Sequence, residues 1–227
     1  MYQRISMDGL SLLDDPPGRS AHYQPFDVDE PFADKFTLST AVISYGFDSF
    51  DVTSSTSYWE RELHQTQDYM EGVVRGLGLP SYYIGGGGVG AGDATETLDG
   101  DEFSQEIRFA STGEGRLRWL VGGYYSDYSA HREFYSVVPG FAPLFGTDIV
   151  AITDNDLTLK QKALFGEASY EITDRLTATV GLRWYSYKSD GIEVGSGLVT
   201  AAGGSGSVTT RNNASNDGPV LDRKSVV

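Results

Sequence analysis

The chain has no cysteine and only three histidines in 227 residues. Disulfides and thiolate metal sites are excluded on that count. No stretch of eighteen or more apolar residues occurs, so no membrane-spanning helix is encoded. Basic residues are scarce: 17 Lys and Arg stand against 32 Asp and Glu, a formal net charge of -15. A nucleic-acid partner, whose phosphates demand a basic surface, is excluded. Met1 to Leu13 lacks the basic start, apolar core and small-residue cleavage site of a signal peptide. Either the protein stays in the cytosol or its leader lies before this chain.

Catalytic signatures are missing too. There is no Gly-x-Ser-x-Gly elbow and no His-Glu-x-x-His. The Gly85 to Gly88 run is followed by no Lys-Ser/Thr, so it reads as a flexible loop and not a phosphate cradle. His22, His64 and His131 lie far apart and predict no metal site. The acidic groups Asp14, Asp15, Asp27, Asp29 and Glu30, and Asp93, Glu96, Asp99, Asp101 and Glu102, lack EF-hand spacing and read as solvated loops. No enzyme, cofactor or metal centre is expected.

What the chain does have is glycine, tyrosine and a repeated layout. Lys35 to Glu62, Phe103 to Ser129 and Leu157 to Asp190 each hold two long β-like runs joined by a short turn. Long Gly- and Asp-rich linkers separate these hairpins, longer than a compact soluble domain tolerates. Short turns alternating with long loops is the wiring of a transmembrane β-barrel. The mean hydropathy of -0.29 is no objection, because barrel strands alternate lipid-facing and lumen-facing residues.

Alternation picks out the faces. Leu176, Ala178, Val180, Leu182 and Trp184 share one side and are expected to meet lipid; Leu117, Trp119, Val121, Gly123 and Tyr125 share one side of their strand, with Leu117, Trp119 and Val121 expected on the exposed convex face. Leu164, Gly166, Ala168 and Tyr170 are placed outward with them. Glu106, Arg108, Glu167 and Arg183 point inward and are expected to form ion pairs on the lumen wall. Tyr58 and Trp59, Tyr124, Tyr125 and Tyr128, and Trp184, Tyr185 and Tyr187 gather at the long-loop ends, as an interfacial aromatic girdle would. A short helix is expected within Gln65 to Leu77, and residues 191–227 are expected to be mostly loop.

The segments FSQEIRFAS followed by RLRWLVGGYY, and QKALFGEASYEITDRLTATVGLRWYSY, resemble successive barrel hairpins of TonB-dependent outer-membrane receptors. FDVTSSTSYWERE resembles the strand that precedes them. The resemblance implies an all-β, antiparallel up-and-down barrel segment, about six strands as an open curved sheet with long extracellular loops. It implies a location in the Gram-negative outer membrane, with membrane lipid as a partner. The function implied is active uptake of a scarce ligand: a siderophore, haem, cobalamin or an oligosaccharide. The family's plug, TonB box and closing strand match nothing here, so the chain reads as a fragment, 1–227 being partial barrel, and the TonB complex would be reached only through those missing parts. Tyr82, Tyr83, Phe134 and Tyr135, read as long-loop aromatics, are the candidates to stack on the ligand. Two other readings stay open: a passive porin-like barrel, and a soluble all-β carbohydrate-binding module that would hide one face of every strand.

Overall fold

The computed structural model describes residues 1–7, 28–80, 89–199 and 204–222. Eight strands form one sheet: β1 (Tyr2–Met7), β2 (Phe32–Gly46), β3 (Phe50–Asp68), β4 (Asp93–Ser111), β5 (Leu117–Val137), β6 (Ile149–Thr173), β7 (Leu176–Gly197) and β8 (Gly204–Asp222). Their spatial order is their chain order, and every neighbouring pair is antiparallel. Two short helices, α1 (Met70–Gly76) and α2 (Ala142–Phe145), sit in the connections. No described helix is long and apolar enough to cross a membrane, which leaves open a crossing by strands.

The three expected hairpins are β2–β3, β4–β5 and β6–β7. Their turns are tight. Phe47 N–H donates to the Phe50 carbonyl at 2.9 Å, and only Asp174 and Arg175 separate β6 from β7. The strands themselves run well past the expected hairpins. Those from β3 to β8 are 19 to 25 residues long, about twice what crosses a hydrocarbon core. The distal halves escape a pattern-based reading for a physical reason. Where water lies on both sides of a sheet, neither face needs to be apolar, and alternation vanishes.

Three expectations are corrected accordingly. The sheet has eight described strands, where about six were expected. Residues 191–227, expected to be mostly loop, continue β7 to Gly197 and then supply β8, which pairs with β7 from Gly181↔Asp222 to Gly197↔Gly204. β8 reads SVTTRNNASND, a polar run without periodicity, so its strand character comes from the partner edge it pairs with. Asp93, Glu96, Asp99, Asp101 and Glu102 are likewise β4 residues and not loop. The helix expected within Gln65 to Leu77 is α1, beginning at Met70 because β3 persists to Asp68.

Among the described residues, a buried apolar cluster lies where the long connections meet the start of β6. Met70, Val73 and Val74 from α1 pack with Val138, Phe141 and Val150, and Leu77, Leu79, Val89 and Leu198 close around them. Gly197 enters this cluster with φ +110°, and an added Cβ would stand 2.6 Å from the Val150 carbonyl oxygen. Glycine is required there on both counts. The loop-bearing end of the sheet thus carries a small core of its own.

Candidate functional site

Directly opposed residues on antiparallel strands share a face. The registers therefore assign every strand position to one of two sides. One side carries Tyr45, Val52, Phe109, Val121, Gly166 and Leu182 in a single row. The other carries Asp51, Ala110 and Leu120 beside Glu167 and Gly181.

The first side is an exposed apolar band. Leu164 is 63 % exposed, Val180 58 % and Leu182 52 %, and Ile43, Tyr45, Ile107, Phe109, Leu117 and Val121 are exposed with them. Along β7 the intervening Thr177, Thr179 and Gly181 are half-buried. Apolar residues outward and polar residues covered is the inverse of a water-soluble sheet. As alternation predicts, Leu117, Trp119 and Val121 on β5, Leu164 to Tyr170 on β6 and Leu176 to Trp184 on β7 share this side.

The band runs obliquely across the ladder. Tyr58 is opposite Phe103, which is opposite Asp127. On β5 the band's last aromatic is Tyr125, two residues nearer the short turns. On β7 it is Trp184, whose row passes through Leu164, Gly123 and Ile107 to Ser54, four residues nearer the turns than Tyr58. The turn-side edge steps the same way. Strands that tilt in a barrel produce this stagger, because a horizontal level then crosses the hydrogen-bonded rows at an angle.

The aromatic girdle expected from the sequence splits between the two sides. Tyr58, Tyr125 and Trp184 lie on the apolar side, while Trp59, Tyr124, Tyr128, Tyr185 and Tyr187 lie on the polar side. Consecutive strand residues cannot share a face. On the polar side Phe36, Trp59 and Tyr128 form a chain of rings at 5.9 and 5.8 Å. The Trp59 indole N–H donates to Glu102 at 3.0 Å. Tyr124, Tyr185 and Tyr187, with Gln161, Ala163 and Arg183, line a pocket of about 350 Å³. Glu106 and Arg108 pair as expected, and the Arg108 guanidinium lies 6.0 Å from the Phe165 ring. Glu167 and Arg183 stand on this same face, each opposite a neighbour other than the other: Gly181 and Phe165.

Beyond the band the apolar side becomes acidic. A groove of about 770 Å³ is lined by Tyr58, Glu60, Glu62, Asp99, Asp101 and His131, among others. His131 is a β5 residue, not a loop residue. Its Nδ1 lies 2.9 Å from Asp156, and Glu133 and Asp154 stand 3.7 Å from the ring. The hydrogen bond to Asp156, helped by the charges of Asp154 and Glu133, holds the imidazole above its ordinary pKa despite some desolvation. His131, Glu133 and Asp154 bring one donor each within 4.8 Å of one another, close enough to share a cation. Sequence reading missed this group. A His-x-Glu on one strand and an Asp-x-Asp on the next meet only through the β5–β6 register, His131↔Asp156 and Glu133↔Asp154. His64 is on β3, opposite Thr97, while His22 lies outside the described residues.

Of the aromatic ligand candidates, Tyr82 and Tyr83 lie outside the described residues. Phe134 and Tyr135, expected in a loop, are on β5 and project to opposite sides. Phe134 is on the polar side, edge-on to Tyr69 at 6.0 Å. Tyr135 is on the other side and 46 % exposed.

A meander of long antiparallel strands, apolar on its exposed side and oblique to its own ladder, is the wall of a transmembrane β-barrel. The sequence matches the family model described as TonB dependent receptor-like, beta-barrel, over residues 6–218. The chain belongs to that family. Among solved structures it resembles the ferric yersiniabactin uptake receptor FyuA from Yersinia pestis, with a TM-score of 0.65 at 15 % identity. It also resembles the siderophore receptor PiuA from Acinetobacter baumannii, with a TM-score of 0.54 at 15 % identity. The first match covers 86 % of this chain and 26 % of FyuA; the second covers 85 % and 30 % of PiuA. At that identity the likeness speaks for the fold, and this chain spans less than a third of either structure. No curated protein sequence matches.

Proposed function

We propose that this chain forms part of the barrel wall of a Gram-negative outer-membrane receptor that takes up a ferric siderophore with energy delivered through TonB. The observation that carries the reading is the oblique, exposed apolar band on a chain of this family. A soluble carbohydrate-binding module would bury Leu117, Trp119, Val121, Leu176, Val180 and Leu182 between two sheets; here they lie on the exposed side of one. The siderophore class is favoured by the two structural neighbours, a ferric yersiniabactin uptake receptor and a siderophore receptor. In this reading the polar side faces the lumen, and the ring series Phe36, Trp59, Tyr128, with Phe134 further out, offers flat apolar surfaces to a ligand entering from the loop end. Tyr82, Tyr83 and Tyr135 remain candidates for contact from the loops and rim. No catalytic role is assigned.

The test is uptake of iron-55 supplied as a panel of ferric siderophores by cells with and without the gene, under iron limitation. At least one complex should lose TonB-dependent uptake when the gene is deleted, and Phe134→Ala should weaken its binding to the purified receptor. Unimpaired uptake of the whole panel, with no binding at micromolar concentration, would sink the siderophore reading.

A further inference from the structure

β5 and β6 place four donor side chains on one small square of the sheet. His131 is directly opposite Asp156, and Glu133 directly opposite Asp154. All four project from the apolar side, beyond the band. The Glu133 and Asp154 side chains are more than half exposed and free to splay into water, yet both close on the imidazole. Glu133 lies 3.7 Å from Nε2 and Asp154 3.7 Å from Nδ1, while Asp156 sits 2.9 Å from Nδ1. Like charges directly opposed across a ladder are destabilising, and nothing on the neighbouring strands relieves them. The adjoining positions of this side are Asp99 and Thr97 on β4 and Ile192 and Val194 on β7. The nearest cations are engaged or remote. Lys160 is held by Asp127, Lys188 by Asp190 and Lys35 by Glu62, and the width of β7 separates Arg211 from Asp156. Three carboxylates therefore converge on one imidazole, which offsets at most one of them.

The imidazole sets this group apart from the rest of the acidic groove. Glu60, Asp99 and Asp101 offer oxygen alone, the donor of hard cations such as Ca2+ and Mg2+. A nitrogen donor beside two carboxylates, with room left for water, suits a first-row transition ion such as Zn2+. The orientation of the ring agrees. A ligating histidine nearly always donates its second N–H to a carboxylate, a carbonyl or water, which fixes the tautomer. Asp156 on Nδ1 fills that role and leaves Nε2, the nitrogen facing Glu133, as the donor to the ion. The donors of His131, Glu133 and Asp154 lie within 4.8 Å of one another, so small side-chain rotations bring all three to the about 2 Å of a zinc bond. We propose that His131, Glu133 and Asp154 bind one divalent transition-metal cation, with Asp156 as the positioning residue behind the imidazole. The ion ties β5 to β6 in the half of the sheet that water surrounds. The site is independent of the lumen and of what is transported; only its place outside the bilayer rests on the barrel reading.

The experiment uses receptor without a histidine tag, purified in detergent, stripped with chelator and titrated with Zn2+ by calorimetry in millimolar Mg2+. One equivalent should bind with a micromolar or tighter Kd. Asp156→Ala should weaken binding about 10-fold to 100-fold, the usual cost of losing the group behind a ligating histidine. Asp156→Asn, whose amide oxygen still accepts from Nδ1–H, should recover part of the loss. His131→Gln, Glu133→Gln and Asp154→Asn should each cost at least as much as Asp156→Ala. Glu60→Gln, which removes a carboxylate from the same groove two strands away, should change the Kd by no more than about twofold, because exposed charges at that separation are screened. Cu2+ in the site should show coupling to one imidazole nitrogen by EPR, lost in His131→Gln. Heat-modifiable migration on gels confirms that each variant is folded. Binding only in the millimolar range, binding abolished by Mg2+, or equal losses in Glu60→Gln and Glu133→Gln would show an acidic surface collecting counterions; each overturns the proposal and leaves the barrel standing. Failure of the protein to enter a bilayer overturns the barrel reading and leaves the titration, made in detergent, intact.

Discussion

Gly122 on β5 and Phe165 on β6 are directly opposite each other, and the phenyl ring lies across the glycine so closely that an added Cβ would stand 2.5 Å from it. The Ile107 carbonyl oxygen would be 2.8 Å from the same atom, so the intruding methyl has backbone on one side and an aromatic ring on the other. The Arg108 guanidinium, from β4, lies 6.0 Å from the centre of the same ring. Gly122→Ala ordinarily offers up to about 1 kcal/mol through reduced freedom of the unfolded chain. Overpacking costs about 1–3 kcal/mol. The net expectation is destabilisation, read as a lower urea midpoint in lipid vesicles. Phe165→Leu combined with Gly122→Ala should recover part of it, because the flat ring is the group that must give way.

Val180 sits at the middle of the apolar run Leu176 to Trp184. Val180→Arg should cost about 2–4 kcal/mol of stability in a bilayer, the expected penalty for a cation near the midplane. Thr177→Arg, one face over and opposite Glu171, should be nearly silent. Folding equilibria of the two variants in lipid vesicles compare the sides directly. Equal penalties would contradict the assignment of faces.

Phe141 is fully buried in the cluster of the long connections, while the sheet below is held by its own ladder. Phe141→Ala removes its largest side chain, worth about 3–5 kcal/mol in a packed core. The loss should stay local. Limited proteolysis between Val138 and Asp148 should accelerate strongly while barrel migration on gels is unchanged. Loss of the folded band altogether would show that the loop core and the wall unfold as one unit.

His131 stands beyond the apolar band, held by Asp156. With chelator present, its imidazole should titrate above the ordinary value of about 6.5, and Asp156→Asn should bring it back down. The folded-state pKa is raised. Any stabilisation is therefore complete below the unfolded pKa and is lost as pH rises through the folded one. Both partners are more than a third exposed, so solvent screens the pair and the effect on stability is small. Titration by NMR at a labelled His131 decides the direction.

Leu176 to Trp184 alternate strictly, and that alone predicts both the strand and its lipid-facing side, because a half-buried strand in any apolar medium must alternate. The distal halves of β3 to β6 were not legible. Glu96, Asp101 and Glu102 look like a solvated loop in sequence, yet Glu96 bonds Gln65, Asp101 accepts from Ser129 and Glu102 from Trp59 across the ladder. Those partners lie 28 to 43 residues away in the chain. No local pattern records them.

By itself, then, the sequence determined the class of fold, the three hairpins and which residues face out, since each depends on alternation and turn chemistry within a few neighbouring residues. The tertiary structure decided what depends on register: the eighth strand, the oblique edge of the band, the splitting of the aromatic girdle and the meeting of His131 with Asp154. Register sets which distant residues become neighbours, and in a sheet this long a slip of one residue would exchange the two faces.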